Sequence, residues 1–440
     1  MRDFLILSLV GLGALVALRR PWIGLLLWIW LSLMNPHRFA WGLAATAPVA
    51  AIAAGSTLLG LLFTRDRQWP LKGAPPIILA LLMVWMTLSW LFGINIEDDY
   101  EQWSKVMKIN LMVLISVALL RSKLYIISFV WVCALSLAVL GVKGGIFTIA
   151  TGGAYKVWGP PDSFIADNNH FALALIMTVP MLRFLQMQLT GRMAGHLMTA
   201  AMVLVAVAAI GSQSRGALLA ITAMALMLWW RGGSRWWGLL LIPLVGVALV
   251  SFMPDEWMTR MQTIRTYDED QSALGRLAAW RTAWGAAFHF PFGVGFDAAR
   301  PELFARYAPD AGVGTPVAHS IYFQILGQHG FVGLALFLLL WWTTWRWAAK
   351  LRVEAKAHAQ SLWAVDLAAM CQVALAGYAV GGAFLNLAHY DMPYNIMAIV
   401  VTTRWWVQRK AWLTETAYEP KRRWFRVPGV TLPKLAGQQG

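Results

Sequence analysis

The residues in this sequence able to do chemistry are a histidine and a scatter of arginines. In "PVAHSIYFQILGQHGFVGLALFLLLWW" (316–342) an apolar run from Phe331 to Trp342 is preceded by His319, Ser320, Tyr322, Gln324, Gln328 and His329. On a helix, Tyr322 falls about 60° from His319, and His329 about 80° from it on the same side. Ser320, Gln324 and Gln328 form a second stripe at i, i+4 and i+8. Such a face points into protein or water rather than lipid. A neutral imidazole at the outer end of this helix can take a proton. His329, deeper in, reads as a packed, hydrogen-bonded histidine.

The preceding segment, 254–316, carries Arg260, Arg265, Arg276, Arg281, Arg300 and Arg306 and no lysine. A planar guanidinium fork suits bidentate contact with phosphate. The acids of the same segment, among them Asp255, Glu256, Asp268 and Asp297, are the competing partners. Arg276 and Arg281 lie in "GRLAAWRTAWGAAF" (275–288), whose Leu277, Trp280, Trp284 and Phe288 recur at helical spacing. A further arginine, Arg215, stands in "GSQSRGALLA" (211–220), where a helix enters lipid. An arginine there costs several kcal/mol unless it meets water, headgroup or an anion. Gly211, Ser212, Ser214 and Gly216 leave the backbone open to a bulky anion. In "KVWGPPDSFIADNNHFALAL" (156–175), Asp162, Asp167, Asn168, Asn169 and His170 precede another helix. Capping the helix and binding sugar hydroxyls are the two roles for these groups, and Lys143 and Lys156 add charge for a diphosphate.

Membrane helices must position these groups. The chain has 440 residues, of which 59% are hydrophobic and 13% charged. Apolar stretches of about 20 residues, long enough to span a bilayer, recur at 40–63, 75–93, 105–120, 124–142, 169–189, 195–211, 214–230, 235–253, 317–345, 362–387 and 392–408. Residues 4–34 hold two shorter runs broken by Arg19, Arg20 and Pro21 and are read as retained; two crossings would put the N-terminus outside and one net crossing inside, and one net crossing is the expectation. Backbone groups in lipid must bond within their own segment, so the expected fold is all-α and polytopic, with about 12 membrane helices. Basic connections (Arg19–Arg20, Arg65, Arg67, Lys72, Arg121, Lys123, Arg192, Arg231, Lys350, Arg352) alternate with acidic or mixed ones, "INIEDDYEQW" (94–103) and 254–316. The basic set is read as cytoplasmic and the long segment as outside. The organisation expected is an N-terminal bundle (1–253), an outer cap of amphipathic helices (254–316), C-terminal membrane helices (317–408) and a basic cytoplasmic tail (409–440).

This distribution also limits function. The net charge of +15 sits in short connections and the tail, where it sets topology and meets anionic lipid, so no nucleic-acid partner is expected. Cys133 and Cys371 both fall inside predicted helices and suggest no disulfide framework. There is no HExxH, CxxC or Walker-type phosphate loop, and "YDED" (267–270) reads as a solvated turn rather than a cation site. No metal site and no cofactor are expected. A transporter or flippase of lipid-linked glycan is the reading of another class; it calls for repeated halves and polar groups at mid-membrane, whereas the polar groups here gather at one face.

In their order, "SRG" (214–216), "GRLAAWRTAW" with "PFGVGF" (291–296), and "HSIYFQILGQHGFVGL" resemble the O-antigen ligase family. That family shares a superfamily with O-antigen polymerases and protein O-oligosaccharyltransferases. The resemblance covers roughly 195–345; "LMNPHR" (33–38) and "ADNNHFAL" (166–173) are similar to a subgroup of O-glycosylation ligases. It implies a metal-independent glycosyltransferase of the bacterial inner membrane with its site facing the periplasm. Such an enzyme moves a glycan from undecaprenyl diphosphate to lipid A–core. The family's arginine of the SR motif falls on Arg215, its loop arginine in R-x-x-x-W on Arg276, and its histidine on His319. Here His-Ser stands where many relatives have His-Asn. Arg265, Arg281, Tyr322, Lys156, Asp167 and Asn168 are the further candidates for holding substrate. Polymerase and protein-glycosylating activities are the alternatives within the superfamily.

Overall fold

The computed structural model describes residues 2–231, 271–309 and 314–415, the side chains of Arg215, 228–231 and 271–273 excepted. The expected span at 235–253, Arg260, Arg265, the "YDED" turn and most of the tail lie outside the described residues. Those described are helical, with no strand among them. The helices are α1 (Arg2–Arg19), α2 (Pro21–Met34), α3 (Leu43–Thr46), α4 (Val49–Phe63), α5 (Ala74–Leu91), α6 (Ile96–Leu119), α7 (Lys123–Ala150), α8 (Asn168–Met187), α9 (Arg192–Gly211) and α10 (Arg215–Arg231). They continue with α11 (Gln271–His289), α12 (Pro301–Tyr307), α13 (Ile321–Ala355), α14 (Leu362–Gly382) and α15 (Asp391–Gln408).

Six described helices are long and apolar enough to cross a membrane: α5, α7, α8, α9, α13, and α14 with its preceding turn. α2, α4 and the Gly216–Met227 part of α10 are apolar but shorter. This makes the chain a multi-pass helical membrane protein. The helix starts follow local chemistry. Asn95 caps α6 by accepting from the N–H groups of Glu97 and Asp98, and Ser122 caps α7 through Tyr125 N–H. Small residues let helices approach: a Cβ at Gly145 of α7 would come within 2.2 Å of the Leu204 carbonyl of α9.

The helices gather their ends into two groups. At one end, Arg121 pairs with Asp66 at 2.9 Å, and Glu415 accepts from Lys123 N–H at 3.3 Å. At the other lie the C-termini of α2, α5, α7, α9 and α14 and the N-termini of α6, α8, α10, α13 and α15; His319 is at this second end. The N-terminus is there too, because the Asp3 carboxylate accepts from Gly42 and Ala44 N–H at 3.1 and 3.0 Å. Residues 4–34 therefore form an antiparallel hairpin turned at Arg20–Pro21, and not the single net crossing expected. Each run alone reads as too short or too charged for a confident span, but together they pack on α4.

Part of the segment between α10 and α13 forms α11 and α12, and both dock at the His319 end. The "PFGVGF" turn between them is wedged between α5, α6 and α13. Ser89 donates to Phe292 O at 2.6 Å, Ile94 N–H to Val294 O at 3.0 Å, and Phe296 N–H to the Asp99 carboxylate at 2.7 Å. Gly293 has φ +87°, and a Cβ there would lie 2.2 Å from Gln328 O; only glycine fits that left-handed, close-packed position. Opposite it α13 breaks at Gly330, with φ +64° and ψ −170°.

The anchor of this turn is ionic. Arg300 donates to Asp99 at 2.9 Å and lies 3.6 Å from Asp98; the Arg300 and Asp99 side chains are only 11% and 2% exposed. Removing one partner of a buried pair leaves the other charge uncompensated, at about 3–5 kcal/mol. Arg300→Met is therefore expected to lower the thermal unfolding midpoint of the purified protein and its folded yield. A midpoint equal to wild type would show that the pair contributes nothing.

Candidate functional site

His319 sits at the junction of an irregular stretch and α13. Its φ of +45° places a non-glycine residue in the left-handed region, a conformation that persists only where the surroundings impose it. Those surroundings come largely from α11. Trp280 donates from Nε1 to Ala318 O at 2.7 Å, and its ring stacks on Phe323 with centroids 4.7 Å apart and 7° between planes. At Gly275 a Cβ would come within 3.3 Å of Pro316. Arg276 lies between these two contacts, one helical turn before Trp280. The R-x-x-x-W spacing thus clamps α11 along residues 316–323, on either side of Arg276.

The electrostatics of His319 come from two elements. Burial holds its imidazole below the ordinary histidine range, the positive charge of Arg276 acts in the same direction, and the carboxylate of Asp167 opposes both. The structure therefore brings His319, Arg276 and Asp167 into one neighbourhood. Asp167 caps α8 by accepting from Asn169 and His170 N–H at 2.9 and 3.4 Å. His170 stands in the first turn of α8, electrostatically coupled to both Asp167 and His319, and its Nε2 is buried without a hydrogen-bond partner among the described residues.

The SRG turn is bound to the same region. Asn168 is 4% exposed and donates from Nδ2 to Ser212 O at 2.6 Å; Val157 N–H donates to Gly211 O at 3.2 Å. Gln213 takes φ +57°, and Ser214 Oγ accepts from Ala217 N–H at 3.2 Å to start α10. Arg215 is the first residue of α10. The next residue, Gly216, lies against Phe384 just beyond α14, and Gly382 of α14 lies against Ile321, the first residue of α13. The backbone at Arg215 and that at His319 are thus linked through the end of α14.

Other candidate residues fall elsewhere or have other work. Tyr322 donates its hydroxyl to Ala379 O of α14 at 2.8 Å, so it fixes α13 on α14. Lys156 lies 6.0 Å over the Trp158 ring. Arg281 is exposed on α11, about 140° around the helix from Arg276. Arg265 lies outside the described residues. Of the α11 stripe, Trp280 turns inward, whereas Leu277, Trp284 and Phe288 are exposed.

The amides at the start of α13 serve the fold. Gln324 Oε1 accepts from Ala388 N–H at 3.0 Å, Gln328 donates to Phe296 O, and Gln328 Oε1 is 2.8 Å from His389 Nε2. His329 is wholly buried and packed edge-on against Phe296 and His389, but neither ring nitrogen has a hydrogen-bond partner among the described residues. The hydrogen bond expected of it is absent there; its backbone carbonyl instead accepts from Trp85 Nε1 at 2.8 Å. Behind Ala318 these amides border a cavity of about 300 Å³, to which Asp98, Asp99, Phe304, Phe323 and Asn386 also contribute. Reading the sequence placed His170 in a capping or sugar-binding cluster but not beside His319, and it revealed neither the Asp99–Arg300 pair nor this cavity. The available signals were the Asp-Asp pair at an α6 N-terminus and an arginine immediately before Pro301.

Two family models match the chain. Residues 200–338 match the model described as O-antigen ligase, and residues 1–190 match a family of unknown function (DUF5935). No curated protein matches the chain.

Proposed function

We propose that the chain, whose residues 200–338 match the O-antigen ligase family model, transfers a glycan from undecaprenyl diphosphate to an acceptor hydroxyl at the periplasmic face of the inner membrane. The acceptor we assign is lipid A–core. The observation that carries this reading is the meeting of His319 with Arg276 and Asp167 where α8, α11 and α13 converge.

In this mechanism the bond between the donor's anomeric carbon and its phosphate oxygen breaks while a bond forms from the acceptor oxygen to that carbon. The electron pair leaves with the diphosphate. Arg276 and Arg215 hold that growing negative charge, a task in which one fixed partner is worth about 10²–10³ in rate. His319 takes the acceptor's proton; lowered basicity keeps it unprotonated near neutral pH, ready to act. Asp167 bears on the imidazolium that results. Attack opposite the leaving group inverts the anomeric carbon. The polyprenyl tail stays in the bilayer, which accounts for a polar site at the end of apolar helices.

The test is reconstitution of the purified protein with undecaprenyl-diphosphate glycan and EDTA, offered in separate reactions lipid A–core, a second lipid-linked glycan, or an acceptor protein. Conjugate with lipid A–core and without ATP is the expected result. Product only with the second glycan would make the chain a polymerase, and only with protein an oligosaccharyltransferase. Movement of lipid-linked glycan across the bilayer with no conjugate would overturn the enzyme reading.

A further inference from the structure

The cavity behind Ala318 differs in chemistry from the arginine side of His319. Its described lining includes Asp98, Asp99 and Asp297 and neither lysine nor arginine; the nearby Arg300 is committed to Asp99 and Asp98. With Arg300 already engaged by carboxylates, the described lining offers a diphosphate no cationic partner. The remaining polar lining is amide: Gln324 and Gln328, both buried, and Asn386 in the connection between α14 and α15. Phe304 and Phe323 add apolar lining beside these amides. At about 300 Å³ the space is at the small end of ligand cavities, suited to one sugar unit rather than a chain or a lipid.

We infer that this cavity is a subsite for an uncharged or amino-bearing pyranose, with the amide of Asn386 hydrogen-bonding a hydroxyl or amino group and Phe304 and Phe323 contributing apolar wall. Resting on the transferase reading, the inference divides the site in two. Arg276 and the SRG turn take the phosphate side, and the cavity takes a sugar. His319 stands between them, because Ala318 borders the cavity and the next residue carries the imidazole. The same chemistry fits a sugar of the donor or of the acceptor.

Two measurements on the full-length protein in detergent test it. Saturation-transfer NMR with methyl glucoside, methyl N-acetylglucosaminide and glucosamine is expected to show binding of at least one. Inorganic pyrophosphate should not displace it. Asn386→Leu should weaken the signal at least about ten-fold, as expected when a buried hydrogen bond of the ligand is lost. Asn386→Asp, which keeps the shape, should shift preference toward glucosamine. No binding by wild type, displacement by pyrophosphate, or an unchanged preference in Asn386→Asp would each overturn the subsite. In the transfer assay Asn386→Asp should then raise KM for one substrate only, the donor if the donor's sugar occupies the cavity and the acceptor if the acceptor's does. A change in neither KM overturns the proposal. If wild type binds sugar but forms no conjugate, the subsite stands and the transferase reading fails.

Discussion

His319→Asn is expected to lower transfer by about 10²–10⁴-fold, the ordinary worth of a positioned general base, while expression, membrane insertion and thermal stability stay near wild type. Asparagine is chosen over alanine for a backbone reason. At φ +45° most side chains are strained, but asparagine enters the left-handed region readily. The Trp280 bond to Ala318 O does not depend on the residue at 319. The substitution therefore removes the imidazole and leaves its platform. The wild-type pH profile should agree. A base works only when unprotonated, so the rate is lost as pH falls through the His319 pKa. Burial and Arg276 hold that pKa below the ordinary value of 6.5, so the acid limb should have its midpoint below 6.5. Asp167→Asn removes the one opposing influence and should move that limb to still lower pH. Transfer by His319→Asn within a few fold of wild type would remove the histidine from the chemistry.

The parts legible in the sequence and the parts hidden divide along physical lines. Helix formation from apolar length, the helix at α11 and the glycine-rich turn after it could all be read, because each is set by local pattern; which face of α11 packs could not, since its small alanines and not its large apolar residues are buried. "PFGVGF" announces a turn; that Gly293 must press on Gln328 O depends on where α13 lies, and nothing local records that. Gln324 and Gln328 mark a face that points into protein or water, because amides are costly in lipid. Their main partners, Ala388 N–H and Phe296 O, come from segments distant in sequence, so the polarity is explained as much by backbone satisfaction as by substrate. That Arg276 and His319 belong together is an expectation from the family resemblance. Its physical basis, Trp280 reaching Ala318 from one turn along α11, could not be seen from spacing alone. The N-terminal hairpin was misjudged because its charged turn, Arg19–Arg20–Pro21, reads equally as an interruption of one crossing; the Asp3 contacts with 42–44 settle its direction.

Arg276→Lys is expected to reduce kcat by about 10²–10³-fold, although the charge is kept. Lysine offers a point charge on a flexible stem, whereas the guanidinium presents a planar fork matched to two phosphate oxygens. The loss should fall on kcat more than on KM, because the diphosphate's charge grows as the bond breaks and ground-state binding needs the fork less. A second substitution separates this role from the effect of Arg276 on His319. Arg276→Gln removes the charge that helps hold the imidazole pKa down, so its acid limb should move to higher pH; Arg276→Lys, still cationic, should leave the limb nearly in place. Loss of rate without a shift in Lys, and loss with an upward shift in Gln, would assign Arg276 both to the leaving group and to the base. Full activity in Arg276→Lys would mean that net charge alone suffices. An identical limb in all three proteins would mean that the guanidinium does not bear on His319 in the working enzyme, and the neighbourhood joining α8, α11 and α13 would then be a structural junction rather than a catalytic one.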